Sequence, residues 1–253
     1  MYMVYDRTSC RTGRALRKSL GLPGGLPPHF ERHPEVDFLI RWGSSQGRDA
    51  AVTLNKATSV ALAANKYAAL EAMQREGVRT VPFSRNPATL EGTVFGRSQW
   101  HAGGTDIVVA DADNAYGHHH YTQFIPSEYE MRLHICDEEL VRAQVKKGVA
   151  EGDIPIRNHA RGYHFTPFVG RRPNKERVDT AAAAVKSLGL DFGAVDLLVG
   201  VDGRSHVLEV NTSAGCCRPT GLLWAGALLS AARERGVDLR LDERHLGVLS
   251  PNE

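Results

Sequence analysis

The sequence predicts a mixed α/β protein, on three observations. Segments with helical periodicity alternate with short apolar strand-like runs. A stretch from Thr93 to Val145 reads as almost continuous β structure. Near the C-terminal end, two apolar strands flank an Asp202-Gly203 turn and form a hairpin.

In chain order, Met3–Tyr5 reads as a short strand, and Arg14–Leu20 as a helix that stops at Gly21. Gly21–Pro28, with three prolines and three glycines, reads as a loop, and Val36–Trp42 as an apolar strand closed by Gly43-Ser44-Ser45. These pieces predict a small α/β lobe over residues 1–55. Thr58–Gly77 is the clearest helix: Val60, Ala61, Ala64, Tyr67, Ala68 and Met73 supply its apolar face, and Gly77 is a C-terminal stop. Val78–Pro82 follows as a short strand. The β-rich stretch divides into Thr93–Arg97, Thr105–Ala110, Tyr121–Ile125, Glu130–Cys136 and Glu139–Val145, with Asp137-Glu138 as a hairpin turn. Asn174–Leu188 is a second amphipathic helix, Ala194–Val199 and Ser205–Val210 are the strands of the C-terminal hairpin, and Leu222–Arg235 is a last helix before a polar tail.

Composition bounds the function classes. The apolar share of 42% and charged share of 24% are those of an ordinary soluble globular protein. A net charge of +2 argues against a dedicated nucleic-acid coat, while leaving room for a local basic cleft. No apolar run approaches the roughly 20 residues that span a bilayer, and the first residues lack the basic-then-apolar order of a signal peptide. The four cysteines, Cys10, Cys136, Cys216 and Cys217, show no CxxC spacing, so a reducing, cytoplasmic setting is expected. There is no P-loop, no GxGxxG after a first strand and no GxSxG elbow. Nothing in the sequence sets the oligomeric state.

The chemistry concentrates in the C-terminal hairpin. Glu209 and Asn211 are two residues apart and share one face of a strand, and the tight turn can bring Asp196 opposite them. Two carboxylates and an amide oxygen converging on one sheet face suit Mg²⁺ carrying phosphates. The plainer alternative is a surface hairpin with a solvated polar face. The apolar residues around these acids weigh against it, because buried acids need partners.

At this point the sequence resembles a known superfamily. Leu208-Glu209-Val210-Asn211-Thr212-Ser213-Ala214-Gly215, with Asp196 thirteen residues before Glu209, resembles the metal-binding end of ATP-grasp enzymes. Two more blocks match in order: Leu54–Lys56, Ala61–Tyr67 and Gly77–Pro82 resemble the opening of the grasp domain, and Glu130–Ile135 resembles its Arg-bearing strand. The likeness is greatest to small RimK-like carboxylate–amine ligases, including those encoded by bacteriophages. Trp42–Ser45, Ile156–His159 and Leu190–Asp196 carry it, and it covers nearly the whole chain.

The resemblance implies an ATP-grasp domain over 56–253, with lobes 56–120 and 121–253 clasping ATP. It implies Lys66 and Arg97 as phosphate-binding cations, Arg97 standing where the family has lysine, and a flexible flap at Gly103-Gly104. Gln123, Phe124 and Ile125 fall at the adenine hinge, and Glu130 at the ribose-binding acid, with Glu128 as its competitor. Arg132 and Lys146 or Lys147 match basic positions facing the transferred phosphate and the acyl group, and Asn158 matches a position near the metal or substrate. Asp196, Glu209 and Asn211 are the implied ligands of Mg²⁺, with Mn²⁺ as an alternative. The implied reaction joins a carboxylate substrate to an amine substrate through an acylphosphate. A small-molecule kinase and a silent nucleotide-binding module are the alternatives. His118-His119-His120 cannot all point one way on a strand and reads as a surface loop entering the hinge. Cys216 and Cys217, just past the hairpin, read chiefly as small packing residues.

Overall fold

The structure is a computed structural model that describes residues 1–99, 107–115, 117–148, 156–158, 161–170 and 172–249. It has the expected mixed α/β class, organised by three sheets. The first sheet is parallel and contains β1 (Tyr2–Tyr5), β2 (Gly24–Gly25), β3 (Phe38–Trp42) and β4 (Val52–Leu54) in the order β2-β1-β3-β4. Every residue of β1 and β3 is buried. Strands covered on both faces read as the near-continuous apolar runs seen in the sequence.

α1 (Arg11–Ser19) starts earlier than its apolar pattern predicted. The expected Gly21–Pro28 loop also holds more order than its composition implied. A Cβ on Gly24 would sit 2.2 Å from the Met3 carbonyl oxygen, so glycine is what allows β2 to pair with β1. Pro27 then opens a one-turn helix, α2 (Pro27–Phe30), where its fixed φ is already helical.

The single helix expected over 58–77 is in fact two, α3 (Ala57–Ala64) and α4 (Lys66–Arg75). Asn65 breaks them with an extended backbone (φ −83°, ψ 95°), and its side chain accepts the Ala68 N–H as an N-cap. The apolar period runs on across this break, so the pattern could not reveal it. Lys66 consequently becomes the first residue of a new helix. After α4, the expected strand at 78–82 makes one bridge, Thr80 to Val207.

The second sheet is antiparallel, with β5 (Phe83–Ser84), β6 (Thr93–Arg97), β7 (Val108–Asp111) and β8 (His120–Gln123) in the order β5-β8-β6-β7. The third and largest sheet contains β9 (Ser127–Cys136), β10 (Glu139–Lys147) and β11 (His164–Pro167). After α5 (Lys175–Ser187) it is completed by β12 (Phe192–Gly200) and β13 (Ser205–Asn211). The order β11-β10-β9-β12-β13 is antiparallel throughout. Asp137 and Glu138 both take positive φ (47° and 65°), as a two-residue type I′ hairpin demands.

One face of the large sheet presents Met131, Leu133, Ile135, Val195 and Leu197 to α3, α4 and α5 in a single apolar core. On the other face, the C-terminal helix α6 (Arg218–Glu234) packs Trp224 and Leu228 with Phe192 and with Phe38, Ile40 and Trp42 of the parallel sheet. What remains uncovered on that second face is the floor of the site. Among the described residues no helix is long and apolar enough to cross a membrane.

Candidate active site

A cavity of about 440 Å³ lies between the second sheet and the open part of the large sheet. Its floor is set by strand register. Asp196 on β12 is paired with Arg132 on β9 and with Glu209 on β13, so one row crosses three strands. Antiparallel partners share a face, and all three side chains meet on the cavity side. A register shift just after Asp196 lets Leu208 and Glu209, neighbours in sequence, both line the cavity.

The acids on this floor are each matched by a cation. Arg132 donates from Nε and Nη2 to the two oxygens of Asp196 at 2.6 and 2.8 Å. Lys66 Nζ lies 3.0 Å from Glu209 Oε2, and the Asn211 amide donates to Glu209 Oε1 at 2.9 Å. Lys146 Nζ bonds Glu130 and also donates to the Arg157 carbonyl at 2.9 Å. Phe165 supports two of these cations, with the Arg132 guanidinium 4.1 Å and the Lys146 ammonium 4.9 Å from its ring centre.

These pairings set the charges. Burial works against ionisation of Glu209, but the Lys66 ammonium and the Asn211 amide outweigh it and hold the carboxyl well below the ordinary range. Burial prevails at Glu130 and pushes its carboxyl up against the pull of Lys146. Burial also opposes the charge on Arg132, yet Asp196 opposite raises its affinity for the proton.

The facing wall is built from β6 and β8. Phe95 and Thr122 form one cross-strand pair, Arg97 and His120 the next, and all four line the cavity. Arg97 Nε donates to Thr122 Oγ1 at 3.1 Å. Gln123, Phe124 and Ile125 close one end, where the Gln123 and Phe124 amides donate to the Pro82 and Thr93 carbonyls at 2.9 and 2.8 Å.

Of the residues singled out from sequence, Lys66, Arg97, Gln123, Phe124, Ile125, Glu130, Arg132, Lys146, Asn158, Asp196 and Glu209 all line this cavity. Asn211 joins through its bond to Glu209. Between the two adjacent lysines the fold chooses. Lys146 reaches the cavity, whereas Lys147 is exposed at the end of β10 and is not part of its wall. Gly103 and Gly104 lie outside the described residues. Glu128, the competitor of Glu130, is exposed and does not line the cavity.

Sequence reasoning missed Arg157, Phe165 and His120. Arg157 was visible only as part of the Ile156–His159 block; it fastens itself to Ser127 through Nη1 at 2.9 Å. Phe165 had no sequence signal, because it reaches Lys146 through the β10–β11 register. His120, read as loop, is the first residue of β8 and fully buried.

The donor set is of the hard-oxygen kind that suits a divalent cation: Asp196 and Glu209 stand side by side with Asn211 next to them, and a cationic side chain pairs with each carboxylate.

The arrangement of these sheets and helices is that of solved ATP-grasp proteins. No protein-family model and no curated protein sequence matches the chain. Solved structures do. D-alanine–D-alanine ligase from Bacillus anthracis matches with a TM-score of 0.66 and 14% identity over 93% of this chain and 97% of that one. The ATP-grasp ligase PsnB, complexed with a phosphomimetic variant of its minimal precursor, Mg and ADP, matches at 0.63 and 14% over 90% and 97%. The macrocyclase MdnC from Microcystis aeruginosa MRC, bound with precursor peptide MdnA, matches at 0.59 and 16% over 92% and 100%.

Proposed function

We propose that this chain is an ATP- and Mg²⁺-dependent ligase that joins a carboxylate to an amine through an acylphosphate. The observation that carries the reading is the row Arg132–Asp196–Glu209, with Lys66 reaching Glu209, on a cavity also lined by Val81, Phe95, Leu198 and Leu208. The structural neighbours, by their descriptions a D-alanine–D-alanine ligase, an ATP-grasp ligase complexed with a precursor variant, Mg and ADP, and a macrocyclase bound with a precursor peptide, support the same class.

In this reading residues 1–55 precede a grasp domain whose lobes, 56–120 and 121–253, hold ATP between them. Phe95, Val81, Leu198 and Leu208 sandwich the base, and the hinge Gln123–Ile125 offers it backbone groups. Glu130 serves the ribose, and Lys66 and Arg97 the polyphosphate. Bound on Asp196, Glu209 and Asn211, Mg²⁺ (or Mn²⁺) would supply charge neutralisation at the phosphates. The finer likeness to RimK-like ligases of the kind bacteriophages encode rests on Trp42–Ser45, Ile156–His159 and Leu190–Asp196. Four free thiols accord with a cytoplasmic setting.

The chemistry balances without a protein nucleophile. A substrate carboxylate oxygen bonds to the γ-phosphorus as its bond to the β–γ bridging oxygen breaks, releasing ADP. The amine nitrogen then bonds to the acyl carbon, the acyl C–O bond to phosphate breaks, and the amine gives up a proton. Arg132, Lys146 and Asn158 line the same cavity, and the part we assign them is alignment and neutralisation of the transferred group.

Incubation with ATP, Mg²⁺ and pooled amino acids and short peptides, read by mass spectrometry, tests this. ADP and a product one water lighter than the sum of two components are expected. With hydroxylamine in place of the amine, a hydroxamate of the acid should form. A stable phosphorylated product that resists hydroxylamine, with no amide in any mixture, overturns the reading in favour of a kinase.

A further inference from the structure

One aromatic ring touches two of the cations on the cavity floor. Phe165 lies on β11, the edge strand of the large sheet, and its register partner on β10 is Lys146. Arg132 on β9 is paired with Gln144, two residues before Lys146, so Arg132 and Lys146 are diagonal neighbours on one sheet face. The half-buried Phe165 ring meets both. Its centre is 4.1 Å from the guanidinium carbon of Arg132 and 4.9 Å from Lys146 Nζ.

Two like charges this close repel each other. Arg132 spends Nε and Nη2 on Asp196, and Lys146 spends two of its three N–H donors on Glu130 and the Arg157 carbonyl. These bonds anchor each cation to its own acid, Asp196 on β12 and Glu130 on β9, and neither sets the distance between the cations. A ring face can do so. Its negative quadrupole attracts both cations without accepting a hydrogen bond, so it consumes none of their N–H groups. The attraction is worth more here than on an open surface, because the Arg132 and Lys146 side chains are only 16% and 13% exposed. An aliphatic side chain of the same size would fill the space and exert no such pull.

The strand pairing holds the ring in place. β11 is paired with β10 over four residues, from Gln144–Pro167 to Lys147–His164, with Lys146–Phe165 inside the run. Phe165, Arg132 and Lys146 all line the cavity.

We propose that Phe165 is a positioning residue for phosphoryl transfer. Its ring holds the Arg132 guanidinium and the Lys146 ammonium at one spacing, so that both meet the transferred phosphoryl group together without reorganising as charge develops there. Phe165 acts through these two cations and takes no part in the bonds made or broken. The inference rests on the ligase reading given above, which assigns Arg132 and Lys146 to the transferred group.

The test separates an aromatic face from bulk. Turnover is read as ADP release and hydroxamate formation from ATP, Mg²⁺, hydroxylamine and pooled amino acids and short peptides. Phe165→Leu and Phe165→Met, which fill similar space without a π face, should each lower kcat at least ~tenfold. Their ATP affinity by calorimetry should stay within about threefold of wild type. Phe165→Tyr and Phe165→Trp should recover most of kcat. Replacing Phe165 with mono-, di- and trifluorophenylalanine drains charge from the ring face while keeping its shape, and kcat should fall stepwise with each fluorine. If the leucine and methionine variants do not fold, this series decides. A wild-type kcat in both aliphatic variants, equally large losses in the tyrosine and tryptophan variants, a flat fluorine series, or an ATP affinity that falls in step with kcat overturns the inference alone. A wild type that releases no ADP and forms no hydroxamate overturns the ligase reading and the inference with it.

Discussion

Arg132 and Asp196 face each other on adjacent strands of the large sheet and are joined by two hydrogen bonds, Nε to Oδ1 and Nη2 to Oδ2. Asp196 is only 4% exposed, so this fork is what makes its charge tolerable inside the protein. Arg132→Met leaves that carboxylate buried without compensation. Urea denaturation of the nucleotide-free variant should show a loss of roughly 3–5 kcal/mol. Arg132→Lys should recover part of it, because the charge returns without the planar fork. Millimolar Mg²⁺ should narrow the deficit of Arg132→Met if the ion takes the place of the guanidinium at Asp196.

Glu209 is tied to Lys66 and Asn211, and its carboxyl is held below the ordinary carboxylate range. A depressed folded-state value means that the stability this group contributes is present above its unfolded value, about 4.3, and is lost as pH falls through the lower folded one. The stability gap between wild type and Glu209→Gln should therefore shrink on acidification below pH ~4 and stay constant above neutrality. Circular dichroism melts across that range will show whether it does. At neutral pH the same variant should remain folded and, if Glu209 holds the metal as proposed, release ADP at least ~100-fold more slowly.

Arg97 stands on the wall opposite the acids, its Nε already bound to Thr122. Replacement by alanine should weaken ATP by about 2–4 kcal/mol, the range of one or two charge-assisted hydrogen bonds. Lysine should restore a fraction, since it offers a point charge in place of a fork. Calorimetry decides this: an Arg97→Ala affinity within about threefold of wild type, ~0.6 kcal/mol, means that the strand does not serve the phosphates.

Asn55 joins the parallel lobe to the large sheet, and its role is independent of any ligand. Its side chain accepts from the Asp191 and Phe192 amides at 2.8 and 3.1 Å and donates to the Phe192 carbonyl at 2.9 Å, with its own φ at +62°. Alanine loses all three bonds in a fully buried position and fits the left-handed backbone poorly. A cost on the order of 3 kcal/mol is expected in chemical denaturation. Glycine, free of the backbone strain, should be no better than alanine by more than ~1 kcal/mol if the hydrogen bonds dominate.

The sequence by itself determined the fold class, most of the strands and helices, and the acids of the C-terminal hairpin. These are local matters: periodicity, turn chemistry at Asp202-Gly203, and two residues of spacing between Glu209 and Asn211 put them in view. The tertiary structure alone decided which distant side chains share a face. Arg132 meets Asp196 because β9 and β12 pair in one register, and a shift of one residue would have turned Asp196 into the apolar core. The same register placed Lys146 rather than Lys147 in the cavity, brought Phe165 beneath it and set Gln144 beside Arg132. The break at Asn65, which makes Lys66 the start of a helix, was equally hidden, because an N-cap inside a continuing apolar pattern leaves the period unchanged. Pairing between strands far apart in sequence is a long-range choice, settled by burial of whole faces, and no local pattern encodes it.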